Sequence, residues 1–220
     1  MQYAEARRRL GSVPDRLPPP PHELMPTVLS DGDNPGRASR FPDGPRREAA
    51  VLILIYPGNF GEARIVLTQR AGGEHRHAGQ ISLPGGAIDP EDETPAAAAL
   101  REAAEEVGLD PLQAGVSVAG VLPVADVRVS GFLVHPVIAF AEREPLLKPD
   151  EYEVTEVFSA PLSAFVAGAP IRHETAEREG FRLRYGGYPV GDRLVWGATA
   201  GILGSLGAYL GQASPAGEGQ

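Results

Sequence analysis

"LPGGAIDPEDETPAAAALREAAEEVGL", Leu83 to Leu109, carries the most information about this chain. It opens on paired glycines, runs through an acidic turn and enters an alanine-rich segment bearing Arg101, Glu102, Glu105 and Glu106. Thr94 suits a helix N-cap, with Pro95 at the first helical position. Ala96 to Val107 are strong helix formers, and Gly108 suits the left-handed stop just beyond. On that helix Glu102, Glu105 and Glu106 stand at i, i+3 and i+4 and share one face. Like charges so placed cost about 0.2–0.5 kcal/mol per pair in an isolated helix. They also occupy the last turn, where the helix dipole disfavours anions. Both effects are uphill, so a compensating cation is expected, and carboxylate oxygens suit hard ions such as Mg²⁺ or Mn²⁺. On spacing alone a solvated acidic face, common in Ala/Glu-rich helices, is the favoured reading. The Gly-Gly turn, which lets the backbone approach another group closely, favours a built site. Arg101 is placed to tie the acidic loop to the helix through Glu93 or Asp92.

The flanking segments read mostly as strands. Ala49 to Pro57 ("AAVLILIYP") is a continuous apolar run, expected as a buried strand. A turn over "GNFGE" leads to a second strand, Ala63 to Arg70, so the two form a hairpin. "ISLPGG" reads as a short strand ending in a turn. "VSVAGVLPVADV" and Gly131 to Ala141 read as two more strands. An acidic loop follows from Glu142, then a short strand, a short helix and a late strand at "FRLRY". "DRLVWGATAGILGSLGAYLG" ends in a helix with small residues on one face, and Trp196 is expected to pack that helix against the sheet. His135, before a proline inside a strand, reads as structural. Strands around one internal and one terminal helix make a layered α/β domain.

The N-terminal part differs. "YAEARRRL" suits a short helix, but the prolines that follow forbid regular helix or central strand. The expected organisation is a Pro-rich arm with a short helix over 1–48, lying on the surface of a domain over 49–212, with a flexible tail over 213–220.

The bulk composition narrows the function. The chain has 220 residues, 42% of them hydrophobic, enough for one sizeable core. A net charge of −9 disfavours binding to a nucleic-acid backbone, although a small anion neutralised by a metal or local arginines remains open. The absence of cysteine excludes disulfides, thiolate metal sites and thiol catalysis. No apolar run is long enough to span a bilayer, and the first residues lack a secretory signal's apolar block, so a cytoplasmic protein without a membrane partner is expected.

The Leu83–Leu109 stretch resembles the Nudix box, G-x5-E-x7-R-E-U-x-E-E-x-G-U. Arg101 to Leu109 match its second half, with Ala103 at the apolar position, and Glu93 stands eight residues before Arg101. Gly86 lies seven residues before Glu93 rather than six, so the loop is one residue longer. The resemblance implies an αβα sandwich around a mixed β-sheet. It also implies Mg²⁺- or Mn²⁺-dependent hydrolysis of a nucleoside diphosphate linked to another moiety. Carried over by position, Glu102, Glu105 and Glu106 are metal ligands, joined by the Gly86 carbonyl. Arg101 orients the loop and Glu93 holds its fold. A catalytic base from a loop outside the box is also implied. Glu153 or Glu156 are candidates, and Glu105 is an alternative.

Upstream, "VLTQRAGGEHRHAGQISLPGG" is similar to a pattern of the coenzyme A pyrophosphatase branch, L-T-x-R-[SA]-x3-R-x-H-x-G-Q-[IV]-x-F-P-G-G. Leu67, Thr68, Arg70, Ala71, His77, Gly79, Gln80, Ile81, Pro84, Gly85 and Gly86 fit it. Leu83 replaces the aromatic residue, and His75 stands where an arginine is usual, with Arg76 adjacent. "EVFSAPLSAF" and "YPVGDRLVWGATAGIL" also look like that branch. The implied substrate is coenzyme A or a derivative, with Arg70, Arg76, His77 and Gln80 as contacts to it. Each has a structural alternative: Arg70 pairing with a carboxylate, His77 as a satisfied loop residue, Gln80 bonded to loop backbone. Another nucleotide substrate such as ADP-ribose, or a non-catalytic nucleotide sensor, stands beside the enzyme reading. The arm and the small-residue face of the last helix are candidate surfaces for a homodimer.

Overall fold

The computed structural model describes residues 1–29, 45–71, 79–128, 130–178 and 181–212. Its elements, in chain order, are α1 (Tyr3–Leu10), a 3₁₀ turn (His22–Leu24), β1 (Thr27–Val28), β2 (Arg47–Pro57), β3 (Ala63–Arg70), β4 (Ile81–Ser82) and β5 (Gly85–Ala87). They continue with α2 (Pro95–Val107), α3 (Pro111–Ala114), β6 (Ser117–Val121), β7 (Ala125–Val127), β8 (Phe132–Phe140) and β9 (Val154–Pro161). A second 3₁₀ turn (Leu162–Phe165), β10 (Arg172–Arg178), β11 (Phe181–Val190), β12 (Arg193–Trp196) and α4 (Gly197–Gly211) complete the chain.

β2 organises the main sheet because its apolar run is buried on both faces. It forms the expected hairpin with β3, Ile55 opposite Ile65, and runs parallel to β8 from Arg47↔Phe132 to Ile55↔Phe140. The sheet order is β4-β3-β2-β8-β6, with β5 on β2, β7 on β8 and β9 on β3. All pairs but β2–β8 are antiparallel, so the sheet is mixed.

Successive side chains of a strand point to opposite faces, and here each face has its own core. Ala50, Leu52, Leu54 and Tyr56 of β2 pack with Ala98, Ala99, Ala103 and Val107 of α2. Ile53 and Ile55, with Ile65 and Leu67 of β3, pack with Ala6 and Leu10 of α1 and Ile202, Leu203 and Leu206 of α4. Alanines on the buried face of α2 let its backbone approach the sheet closely. The result is the αβα sandwich around a mixed sheet.

Several local expectations change. Residues 1–24 do more than lie on the surface, since Ala6, Leu10 and Leu24 are buried in the α4-side core and the Tyr3 hydroxyl donates to the Ala141 carbonyl at 2.8 Å. "ISLPGG" holds two strands, β4 and β5, between which the Pro84 carbonyl accepts from Leu52 N–H at 2.8 Å. "VSVAGVLPVADV" breaks into β6 and β7 around buried Leu122. Strand β10, "RHETAER", has almost no apolar signal; it is held by full antiparallel pairing with β11 in a separate small sheet. Trp196 stands at the N-cap of α4, and its ring lies 4.6 Å from that of Tyr185 on β11.

The contact between α4 and the Leu162–Phe165 turn depends on a missing side chain. A Cβ on Gly207 would lie 1.8 Å from the Phe165 carbonyl oxygen. Gly207→Ala is therefore expected to lower stability by about 3 kcal/mol. A reduced urea midpoint at unchanged slope would record it, and an unchanged midpoint would refute the close contact.

Candidate active site

Helix α2 starts and stops where its sequence dictates. The Thr94 hydroxyl accepts from Ala97 N–H at 3.1 Å, Pro95 follows, and Gly108 closes the helix at φ 64°. The last turn thereby presents Glu102, Glu105 and Glu106 beside the Gly85–Gly86 backbone. Arg101 is the hub of the arrangement. Its Nε and Nη2 donate to the Asp92 carboxylate at 3.2 and 2.8 Å, and Nη2 also donates to the Ala87 carbonyl at 3.1 Å. Its Nη1 donates to Glu102 at 2.9 Å and to Glu105 at 3.1 Å. These partners raise the Arg101 pKa, the Asp92 hydrogen bond foremost, and the same bond holds Asp92 below the usual carboxylate range. Of the two residues expected to receive Arg101, Asp92 does so; Glu93 is exposed and makes no such pair.

Glu106 is the most deeply placed acid among the described residues, 4% exposed. Gly85 N–H donates to its Oε2 at 3.0 Å, and Arg70 stands 3.9 Å from Oε1. Burial outweighs both and pushes its pKa up to about 7. Glu102 is shifted upward too, first by burial and against the pull of Arg101. Gly86 is the neighbour that makes room, because a Cβ there would lie 2.4–2.6 Å from the Glu102 carboxylate.

Glu153 lies on the turn before β9, near enough for its negative charge to add the smallest of the upward pushes on Glu102 and Glu106. The turn before β9 is held against the helix end: Lys148 N–H donates to the Val107 carbonyl and Asp150 N–H to the Glu106 carbonyl, each at 2.9 Å. Ala71 N–H donates to the Glu153 carbonyl at 2.8 Å, which joins that turn to the end of β3. Glu156 instead pairs with Arg193 at 2.5 Å. The Gln80 carbonyl accepts from Arg70 N–H at 3.0 Å. Arg76 and His77 lie outside the described residues. His135 pairs with Glu48, in keeping with a structural part. The sequence reading did not foresee the Gly85 amide as a partner of Glu106; the adjacent glycines were its only signal.

The donor set fits a divalent cation. Glu102, Glu105 and Glu106 lie on one face of α2, and among the described residues two guanidinium groups, Arg70 and Arg101, pair with them. Oxygen-only donors suit Mg²⁺ or Mn²⁺. Among the described residues, no three acidic or histidine side chains already converge as a metal cage. The reason is visible: Arg101 draws Glu102 and Glu105 to itself, while the Gly85 amide holds Glu106.

Comparison with known proteins gives the class of domain to which this helix-covered mixed sheet, with its glutamate-rich helix end facing a glycine pair, belongs. The NUDIX domain family matches residues 46–181. The uncharacterized Nudix hydrolase NudL of Citrobacter koseri is 39% identical over 166 residues, covering 76% of this chain and 84% of that protein. Nudix hydrolase 15, mitochondrial, of Arabidopsis thaliana is 37% identical over 175 residues, covering 75% of this chain but 59% of the plant protein. The solved Nudix hydrolase RenU from M. smegmatis is 31% identical, with a TM-score of 0.45 over 54% of this chain and 73% of that one. The chain belongs to the Nudix hydrolase family. No described helix is long and apolar enough to cross a membrane.

Burial of Glu106 sets a pH dependence for the metal-free protein. Its pKa is 4.5 unperturbed and about 7 folded, so between those values the folded state holds a proton that the unfolded state has released. Stability then falls as pH rises through that window, by up to about 1.4 kcal/mol per pH unit. Urea unfolding in chelator at intervals across the window should show this decline. Glu106→Gln should flatten it, and an equal slope in the variant would remove Glu106 as its source.

Proposed function

We propose that this chain hydrolyses the pyrophosphate linkage of coenzyme A or its derivatives, giving 3′,5′-ADP and 4′-phosphopantetheine or its acylated form. The observation that carries the hydrolytic part is the placing of Glu106 on the Gly85 amide and of Glu102 beside Gly86, with Glu105 on the same helix face and Arg70 alongside. The substrate class rests on the run from Leu67 to Gly86 and its similarity to the coenzyme A pyrophosphatase pattern. Of the two departures from that pattern, Leu83 is 2% exposed and packs in the α4-side core, and His75 lies outside the described residues.

Glu102 and Glu106 would hold Mg²⁺ or Mn²⁺, with Glu105 and the Gly86 carbonyl completing the set. Bound there, the ion neutralises pyrophosphate charge and makes phosphorus more electrophilic. Arg70 is exposed enough to turn from Glu106 to a phosphate oxygen, and its planar fork suits that contact. Arg76, His77 and Gln80 are proposed as further substrate contacts. Glu153 is the proposed base: it is exposed, carried on the turn pinned to Glu106, and able to take a proton from the attacking water. Arg101 keeps the β5–α2 loop against the helix, so that Gly86 and Glu102 stay adjacent.

Incubation with coenzyme A, ADP-ribose and NADH in Mg²⁺ or Mn²⁺, followed by chromatography, tests the assignment. Release of 3′,5′-ADP from coenzyme A is the expected result. Preferred cleavage of ADP-ribose would move the chain to another substrate, and no turnover of any nucleotide would indicate a sensor. Glu106→Gln should lower turnover by about 100-fold or more while leaving the fold intact. Wild-type turnover in that variant would take Glu106 out of the site.

A further inference from the structure

A cavity of about 440 Å³ lies between β9 and the loop that precedes it. One wall is the run from Thr155 to Ser159. Side chains of a strand alternate between its two faces, so consecutive lining residues are what an open strand edge presents. Among the described residues β9 pairs with β3 alone, which leaves its other edge open. The facing wall is Pro145, Leu147 and Pro149 of the loop. Leu147 packs on the α2-side core, together with Val157 of β9 and Tyr56 of β2, so the cavity sits on the same side of the sheet as the glutamate helix.

The cavity leads away from the catalytic groups. At its near end Pro149 stands between Lys148 and Asp150, whose amides bond to the Val107 and Glu106 carbonyls, and Thr155 follows Val154, the register partner of Arg70. At its far end are Tyr56 and Glu144. Tyr56 follows Ile55, whose carbonyl accepts from Ala141 N–H at 2.9 Å and so fixes the start of the loop there. From Thr155 to Ser159 the strand covers about 13 Å. The charged residues lining the cavity are acids, Glu144 and Glu156, and Glu156 is already paired with Arg193. Among the described residues no basic side chain lines it. Such walls repel a phosphate and suit an uncharged chain with apolar groups, whose amides can bond to the N–H and C=O groups of the open edge.

We propose that this cavity receives the pantetheine arm of the substrate, laid along the β9 edge with its sulfur end toward Tyr56 and Glu144, while the nucleotide half stays outside. The inference rests on the coenzyme A reading of the site. The arm is uncharged, carries two amide links and matches about four residues of extended backbone in length. The anionic half of coenzyme A, with its 3′-phosphate, has no partner in this cavity. A nucleotide whose second half is a short sugar would leave most of the cavity empty, so the cavity favours a substrate with a long uncharged arm.

Thr155→Trp and Glu144→Trp narrow the cavity from its two ends. Both positions are exposed, so neither change disturbs a core, and thermal melts confirm that each variant folds. Steady-state hydrolysis of coenzyme A in Mg²⁺ would be measured together with inhibition by two probes, pantetheine and 3′,5′-ADP. Each tryptophan variant should raise the KM for coenzyme A by about 10-fold or more, with kcat within about 3-fold of wild type. Inhibition by pantetheine should weaken to the same degree, and inhibition by 3′,5′-ADP should stay within about 2-fold. Thr155→Val, which keeps the side-chain shape, should match wild type in all three measurements. An unchanged KM in either folded tryptophan variant, or an equal loss of 3′,5′-ADP inhibition, overturns the inference and leaves the coenzyme A reading standing. A wild-type protein that cleaves no coenzyme A would instead sink that reading, and this inference with it.

Discussion

At Gly85 and Gly86 the backbone of β5 runs through a space with no room for side chains, and the site depends on that confinement. A Cβ on Gly85 would lie 2.2 Å from the Ala50 carbonyl oxygen of β2, and one on Gly86 would meet the Glu102 carboxylate of α2. Gly85 also has φ 147°, a conformation that other L-residues rarely adopt. The two glycines therefore bring sheet, loop and helix to van der Waals distance. That approach puts the Gly85 amide on Glu106 and the Gly86 backbone beside Glu102. The alanines on the buried face of α2 serve the same end from the other side, since bulkier residues would lift the helix away from β2.

Around this contact the described residues collect more negative charge than they compensate. Glu106 is held in a nearly water-free position with one amide donor and a guanidinium at 3.9 Å, and burial still dominates its protonation. Glu102 is shifted in the same sense. An unpaired buried carboxylate is costly, and proteins commonly relieve that cost by protonation or by a bound cation. The folded protein thus carries an uphill electrostatic arrangement that packing elsewhere supports, a pattern typical of functional sites. Both sheet faces supply that packing, through α2 on one side and α1 with α4 on the other.

The turn that carries Glu153 shows how distant segments complete the cluster. Its amides bond to the open carbonyls of the α2 C-terminus and its Glu153 carbonyl bonds to Ala71, so one short segment caps the helix and positions an acid. Glu156, only three residues later, lies in β9 and is committed to Arg193. The difference between the two glutamates is a matter of register against β3, where Glu156 faces Gln69 and Arg70 aligns with Val154.

Local rules made much of this legible from residues alone. The N-cap at Thr94, the stop at Gly108, the hairpin of β2 and β3 and the shared face of the three glutamates follow from short-range sterics and helical or strand periodicity. β10 was not legible, because its polar sequence lacks an apolar alternation and is fixed by pairing with β11. The burial of Ala6, Leu10 and Leu24 was equally hidden, since prolines say what a segment cannot form but not where it docks. Within the site, residue types and spacing determined that a cluster of acids with an arginine and a glycine pair would exist. Which acid the arginine takes, Asp92 over Glu93, that Glu156 is committed to Arg193, and how far Glu106 is removed from water were decided by the tertiary structure, because each depends on loop closure, cross-strand register or burial between elements far apart in the chain.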